Sequence, residues 1–267
     1  MKELLDILKD LAESFGPEIT NKARSRVKRS SPENLRLFDY VFGSYYQSII
    51  SERWYHPYHV AYSTLFAVEL VELKEASSLV VAAIILHDIG YYSPLVDKEN
   101  WTSRNSRIIH MQEGAGMAAE ILSEITVFKA KEIGKIVGMV ASHDNGYIGI
   151  STTDRDRLAL RDADRIWVMH PLSFYKDWLS KKSKGEKITL ADLIRSRRVS
   201  FYQESAPDAD AEDKISFSPF TCLAREWRDR QFNQRLAEVQ NNITASPGEL
   251  RRAIEGNIKS ELAFGRG

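Results

Sequence analysis

The chain has 267 residues, 43% of them hydrophobic, with 37 acidic and 37 basic side chains; that is enough for one large domain or a domain with an appendage, with no bulk charge to draw it to nucleic acid or a membrane surface. Its single cysteine, Cys222, excludes an internal disulfide and a thiolate zinc cluster and fits a reducing cytosol. No stretch approaches the roughly 18 apolar residues of a bilayer span, and the acid-rich amphipathic opening MKELLDILKDLAESFG argues against a signal or transit peptide, so a cytoplasmic location is expected.

Helical periodicity dominates, with no internal repeat and only scattered short β-like runs, which predicts an all-α fold. Residues 1–50 read as N-terminal helices packing on a core: one over 1–16, ended by Gly16 and Pro17, and another from about 33 to 50. Helices then follow at 58–73, 79–88, 113–124, 128–143 and 154–170, separated by short connections except for a polar, aromatic loop over 91–109, a length that is often functional. Residues 171–267 are more charged and more weakly patterned, apart from a helix over 223–243. They read as a helical appendage with a mobile acidic loop near 206–214.

Four of the six histidines sit where a helix face is otherwise apolar or where a helix begins or ends. His59 lies in line with Tyr62, Phe66 and Leu70, and His87 closes the stripe Leu79, Val80, Ala83 and Ile84. His143 extends the stripe Ile136 to Val140 by a turn, and His110 precedes EGAGMAAEIL, whose small residues allow close helix approach. In AAIILHDIGYY an imidazole and a carboxylate, His87 and Asp88, end an apolar run. Buried groups of these types need partners, and a metal ion suits both.

The order His59, His87-Asp88, His110, His143 and an aspartate in RDADRIW resembles the HD-domain superfamily of metal-dependent phosphohydrolases, and SERWYHPYHV is similar to the entrance motif of some members. The resemblance covers about 50–170 and implies a helical HD-type metal-binding core over 51–170 with the appendage after it. By that resemblance His59, His87, Asp88 and Asp164 are metal ligands. Helical periodicity by itself favours Asp162, which shares a face with Leu158, Ile166 and Met169, whereas members with an Asp-x-Asp-Lys/Arg sequence use the second aspartate. The resemblance therefore points to Asp164 and leaves Asp162 to orient a ligand or touch substrate.

His110 and His143 resemble the extra ligands of two-metal members. With Asp88 bridging, six ligands hold two ions; the alternative is a one-metal pocket that these imidazoles line as proton donors or phosphate contacts. Asp88 and His110 are thus the catalytic candidates, and Arg53, His56 and Arg165 join Asp162 as substrate-binding candidates. A ligand set of histidine and carboxylate fits manganese, iron, cobalt, nickel or zinc. The implied activity is hydrolysis of a small-molecule phosphate ester, a phosphomonoester, phosphodiester or nucleotide. Tyr91 stands where many two-metal members carry lysine. Two alternatives use the same residues: a di-iron oxygenase that cleaves a carbon bond, and a non-catalytic, metal-stabilised sensor.

Overall fold

The stretch Leu79–Leu86 is apolar all the way round, and in the computed structural model it forms a helix whose residues Val80 to Leu86 are all buried, as expected of a helix at the centre of a core. The structure describes residues 2–46, 54–97, 100, 103–203, 217–241, 243 and 246–263. Among these there is no strand, and the helices are α1 (Lys2–Ser30), α2 (Leu35–Ser44), α3 (His56–Glu72), α4 (Leu79–Leu86), α5 (Arg104–Ile125), α6 (Ala130–Val140), α7 (Arg155–Arg165), α8 (Pro171–Ser183), α9 (Leu190–Tyr202), α10 (Cys222–Gln240) and α11 (Pro247–Ala263). The fold is all-α. The chain divides into two units, Glu18–Asp164 and Met1–Pro17 with Arg165–Gly267.

In the first unit α4 is packed by α2, α3 and α6, while α5 lies against α6 and against the short 3-10 turn Ile89–Tyr92. The contact between α5 and that turn is backbone to backbone. A Cβ built on Gly90 would come within 1.9 Å of the His110 carbonyl oxygen and 2.6 Å of the Gly114 nitrogen. Only glycine fits at such a crossing. It brings His110 beside the end of α4, where His87 and Asp88 stand. The second unit contains α8 to α11. Here Tyr175 and Asn257 hydrogen-bond the Glu238 carboxylate, and Nη1 of the fully buried Arg235 lies 3.1 Å from Glu238 Oε2.

Three helix boundaries differ from the sequence-based expectation. Gly16 and Pro17 do not end the first helix, which runs to Ser30. Its buried stripe of Leu8, Leu11, Phe15, Ile19, Ala23 and Val27 continues across the proline, and continued burial offsets the one backbone hydrogen bond that the ring removes. The expected loop over 91–109 is cut short because α5 begins at Arg104, capped by the Ser103 side chain, which accepts from the Ser106 N–H. The helix expected over 154–170 stops at Arg165 and gives way to the 3-10 turn Ile166–Met169. Pro171 holds His170 in extended backbone, φ −58° and ψ 138°, and then opens α8. Arg53, Trp101 and the acidic stretch 206–214 lie outside the described residues.

Candidate metal centre

Five elements each deliver side chains to one buried cluster. The first turns of α3 supply His56 and His59, the end of α4 supplies His87 and Asp88, and the middle of α5 supplies His110. His143 follows α6, and Asp164 lies in the last turn of α7. His56, His59, His87, Asp88, His110 and His143 are all buried.

Two groups of three form within the cluster: His59, His87 and Asp164, and Asp88, His110 and His143. In the first, His59 Nε2 lies 3.1 Å from His87 Nε2 and 3.2 Å from Asp164 Oδ1, and His87 Nε2 lies 3.4 Å from that same oxygen. In the second, His110 Nε2 lies 3.0 Å from His143 Nε2. Asp88 links the two. Its Oδ2 is 3.5 Å from His87 Nε2 and 3.6 Å from His59 Nε2, while its Oδ1 is 3.7 Å from His143 Nε2.

Three of the imidazoles are held by their other nitrogen. His87 Nδ1 lies 2.7 Å from the Ile84 carbonyl, His143 Nδ1 lies 2.8 Å from the Val140 carbonyl, and His110 Nδ1 lies 3.3 Å from the Ser106 carbonyl. A carbonyl only accepts, so Nδ1 carries the hydrogen and the Nε2 lone pairs turn inward. Lone pairs facing one another at about 3 Å need a proton or a cation between them. Donor atoms about 2.1 Å from a common ion stand about 3.0 Å apart at octahedral angles and about 3.4 Å apart at tetrahedral ones, and the separations within the first group match these values. The residues present therefore fit a divalent ion.

The electrostatics agree. Burial pushes His87 toward neutrality, but Asp88 and Asp164 outweigh it and lift its pKa to about 9. Burial opposes protonation of His143 as well, yet Asp88 and Asp144 raise it. Asp164 is pushed up by burial but held well below the usual carboxylate range by His59 and His87. Charge of both signs is thus retained in a place that disfavours charge.

Other predicted site residues fall variously. His56 joins the cluster, its Nε2 3.1 Å from Asp88 Oδ2. Asp162 is buried outside both groups of three, with an Arg161 nitrogen 3.2 Å from its carboxylate. Arg165 begins the other unit, where its guanidinium lies 3.9 Å from the centroid of the Phe217 ring. Tyr91 stacks face to face on the His110 ring at 4.2 Å and 12°, fixing that imidazole.

Two residues beside the second group escape a search for apolar stripes. The buried Asp144 has its Oδ2 3.7 Å from His110 Nε2 and accepts a 2.7 Å hydrogen bond from Arg107 Nη1. The signal was present in the sequence. HDIGY at 87–91 and HDNGY at 143–147 share the short pattern His-Asp-x-Gly-Tyr, which is a local motif and not an internal repeat of the fold. Five residues are too few to register among the 20–50-residue periods of repeat folds.

A family model for the HD domain matches residues 53–194, more than half of the chain. No curated protein and no solved structure matches it. The matched segment contains both groups of three, and the chain belongs to the HD-domain family.

Proposed function

We propose that the protein is a metal-dependent phosphohydrolase that acts on a small-molecule phosphate ester, a phosphomonoester, phosphodiester or nucleotide, at a two-ion His/Asp centre. The observation that carries this reading is Asp88, which turns one oxygen toward His59 and His87 and the other toward His143. Membership of the HD-domain family supports the coarser part, a metal-dependent hydrolase. Divalent ions bound there polarise a phosphoryl oxygen and acidify water.

In this reading His59, His87 and Asp164 would hold one ion, His110 and His143 the other, and Asp88 would serve both. His56 orients the Asp88 carboxylate through its 3.1 Å contact. The donor set without sulfur suits manganese, iron, cobalt, nickel or zinc. No described helix is long and apolar enough to cross a membrane.

The test is phosphate release from a panel of phosphomonoesters, phosphodiesters and nucleotides by protein loaded with manganese or cobalt, beside the His87→Ala variant. Metal-dependent release that falls at least about a hundredfold in the variant supports the proposal. Substrate-dependent oxygen uptake by iron-loaded protein without phosphate release overturns it in favour of the oxygenase. Metal that raises the melting temperature with no turnover of any kind leaves a sensor.

A further inference from the structure

The two His-Asp-x-Gly-Tyr segments fold alike. Each follows an α-helix, α4 or α6, and each aspartate leads a 3-10 turn with nearly the same backbone: φ −100° and ψ 6° at Asp88, φ −94° and ψ 10° at Asp144. In each, the preceding histidine ties Nδ1 to the carbonyl three residues back, 2.7 Å at Ile84 and 2.8 Å at Val140. The two carboxylates therefore leave matching backbone beside matching imidazoles. Asp88 turns both oxygens onto the histidines of the cluster, and Asp144 sets one oxygen, Oδ2, 3.7 Å from His110 Nε2.

Asp144 is also buried and paired with a buried arginine. Arg107 donates to Oδ2 at 2.7 Å, and its guanidinium lies 3.7 Å from the centroid of the Tyr147 ring. A buried ion pair contributes little net stability, because desolvation of both partners consumes much of their attraction. A carboxylate oxygen has two lone pairs, so the oxygen that accepts from Arg107 retains one for another partner. His110 Nε2 stands 3.0 Å from His143 Nε2 and 3.7 Å from Asp144 Oδ2, while His143 Nε2 lies 3.7 Å from Asp88 Oδ1.

The geometry points to Asp144 as the counterpart of Asp88 in the second half of the centre: a carboxylate ligand for the ion held by His110 and His143, oriented by Arg107. This inference rests on the two-ion reading and adds to it a seventh protein ligand, drawn from the repeated segment.

The experiment is a titration of the ion-free full chain with cobalt, read by calorimetry and by the visible cobalt spectrum, for the parent and for Asp144→Asn. The asparagine keeps an oxygen for Arg107 and removes the negative charge. Two ions are expected in the parent. In the variant the second is weakened at least about tenfold, its spectral component is lost at equal cobalt, and the first is unchanged. Two ions bound by the variant with the parent's affinities and spectrum overturn the inference and leave the two-ion reading standing. A parent that binds one ion or none overturns both. Should Asp144→Asn fail to fold, a crystal of the cobalt-loaded parent decides by anomalous scattering: an Asp144 oxygen at about 2.0–2.2 Å from the second ion is the expected result, and one well beyond ligand distance overturns the inference.

Discussion

Nε2 of His87 has two carboxylate oxygens beside it, from Asp88 at 3.5 Å and from Asp164 at 3.4 Å, and the ring holds its proton up to about pH 9 in the ion-free protein. A metal ion must displace that proton. Apparent metal affinity is therefore expected to rise with pH, by up to about tenfold per unit, and to level off above about 9. Calorimetric titration at a series of pH values, with the proton release read from buffer dependence, checks this. Without metal the sign reverses. The folded-state pKa lies above the ordinary 6.5, so this pairing contributes stability that is complete below about pH 6.5 and lost as pH rises through about 9. Denaturant midpoints in chelator across that window should fall.

The same scale shows what the sequence made legible. His59, His87, His110 and His143 stood out together: one titratable group on an apolar stripe is an ordinary core histidine, but four of them with Asp88 are not. Periodicity favoured Asp162 over Asp164, since both lie near the end of α7 and a helical wheel does not register that the turn tightens to 3-10 at Ile166. Resemblance supplied Asp164, and its oxygen 3.2 Å from His59 is the geometric counterpart. Arg107 and Asp144 went unread because a charged residue that finds its partner 37 positions away looks like a solvated one until the chain is folded.

Among elements, the crossing of α5 over the 3-10 turn is the most constrained contact. Gly90→Ala drives a methyl into the backbone of His110 and Gly114, and backbone has no rotamer in which to yield. A loss of more than about 3 kcal/mol is expected, at the upper end of overpacking effects, together with weaker binding of the second ion as His110 moves away. Urea unfolding and metal stoichiometry measure the two effects. Ser103→Ala, by contrast, removes only the cap of α5 and should cost about 1 kcal/mol with metal binding intact. Element types were readable from periodicity, whereas ends were set by local chemistry that periodicity omits: the Ser103 cap, Pro171 acting on His170, and burial that continues past Pro17.

For the whole molecule, any ligand that binds only the folded state adds RT ln(1 + [L]/Kd), about 2.7 kcal/mol at a hundred times Kd. Chelation should lower the melting temperature of the parent and leave that of a His59→Ala, His110→Ala double variant unchanged, as differential scanning calorimetry would register. The second unit has its own determinant. Arg235→Met strips the buried Glu238 of its cation, which should cost about 3–5 kcal/mol.

The bonds from His87 Nδ1 and His143 Nδ1 to carbonyls three residues earlier mean that these rings are oriented by the same turns of chain that carry them. The centre then behaves as a rigid chelator already built when the cation arrives. Far-ultraviolet circular dichroism should be superimposable with and without bound metal, and association should proceed in a single fast phase with no slow rearrangement behind it.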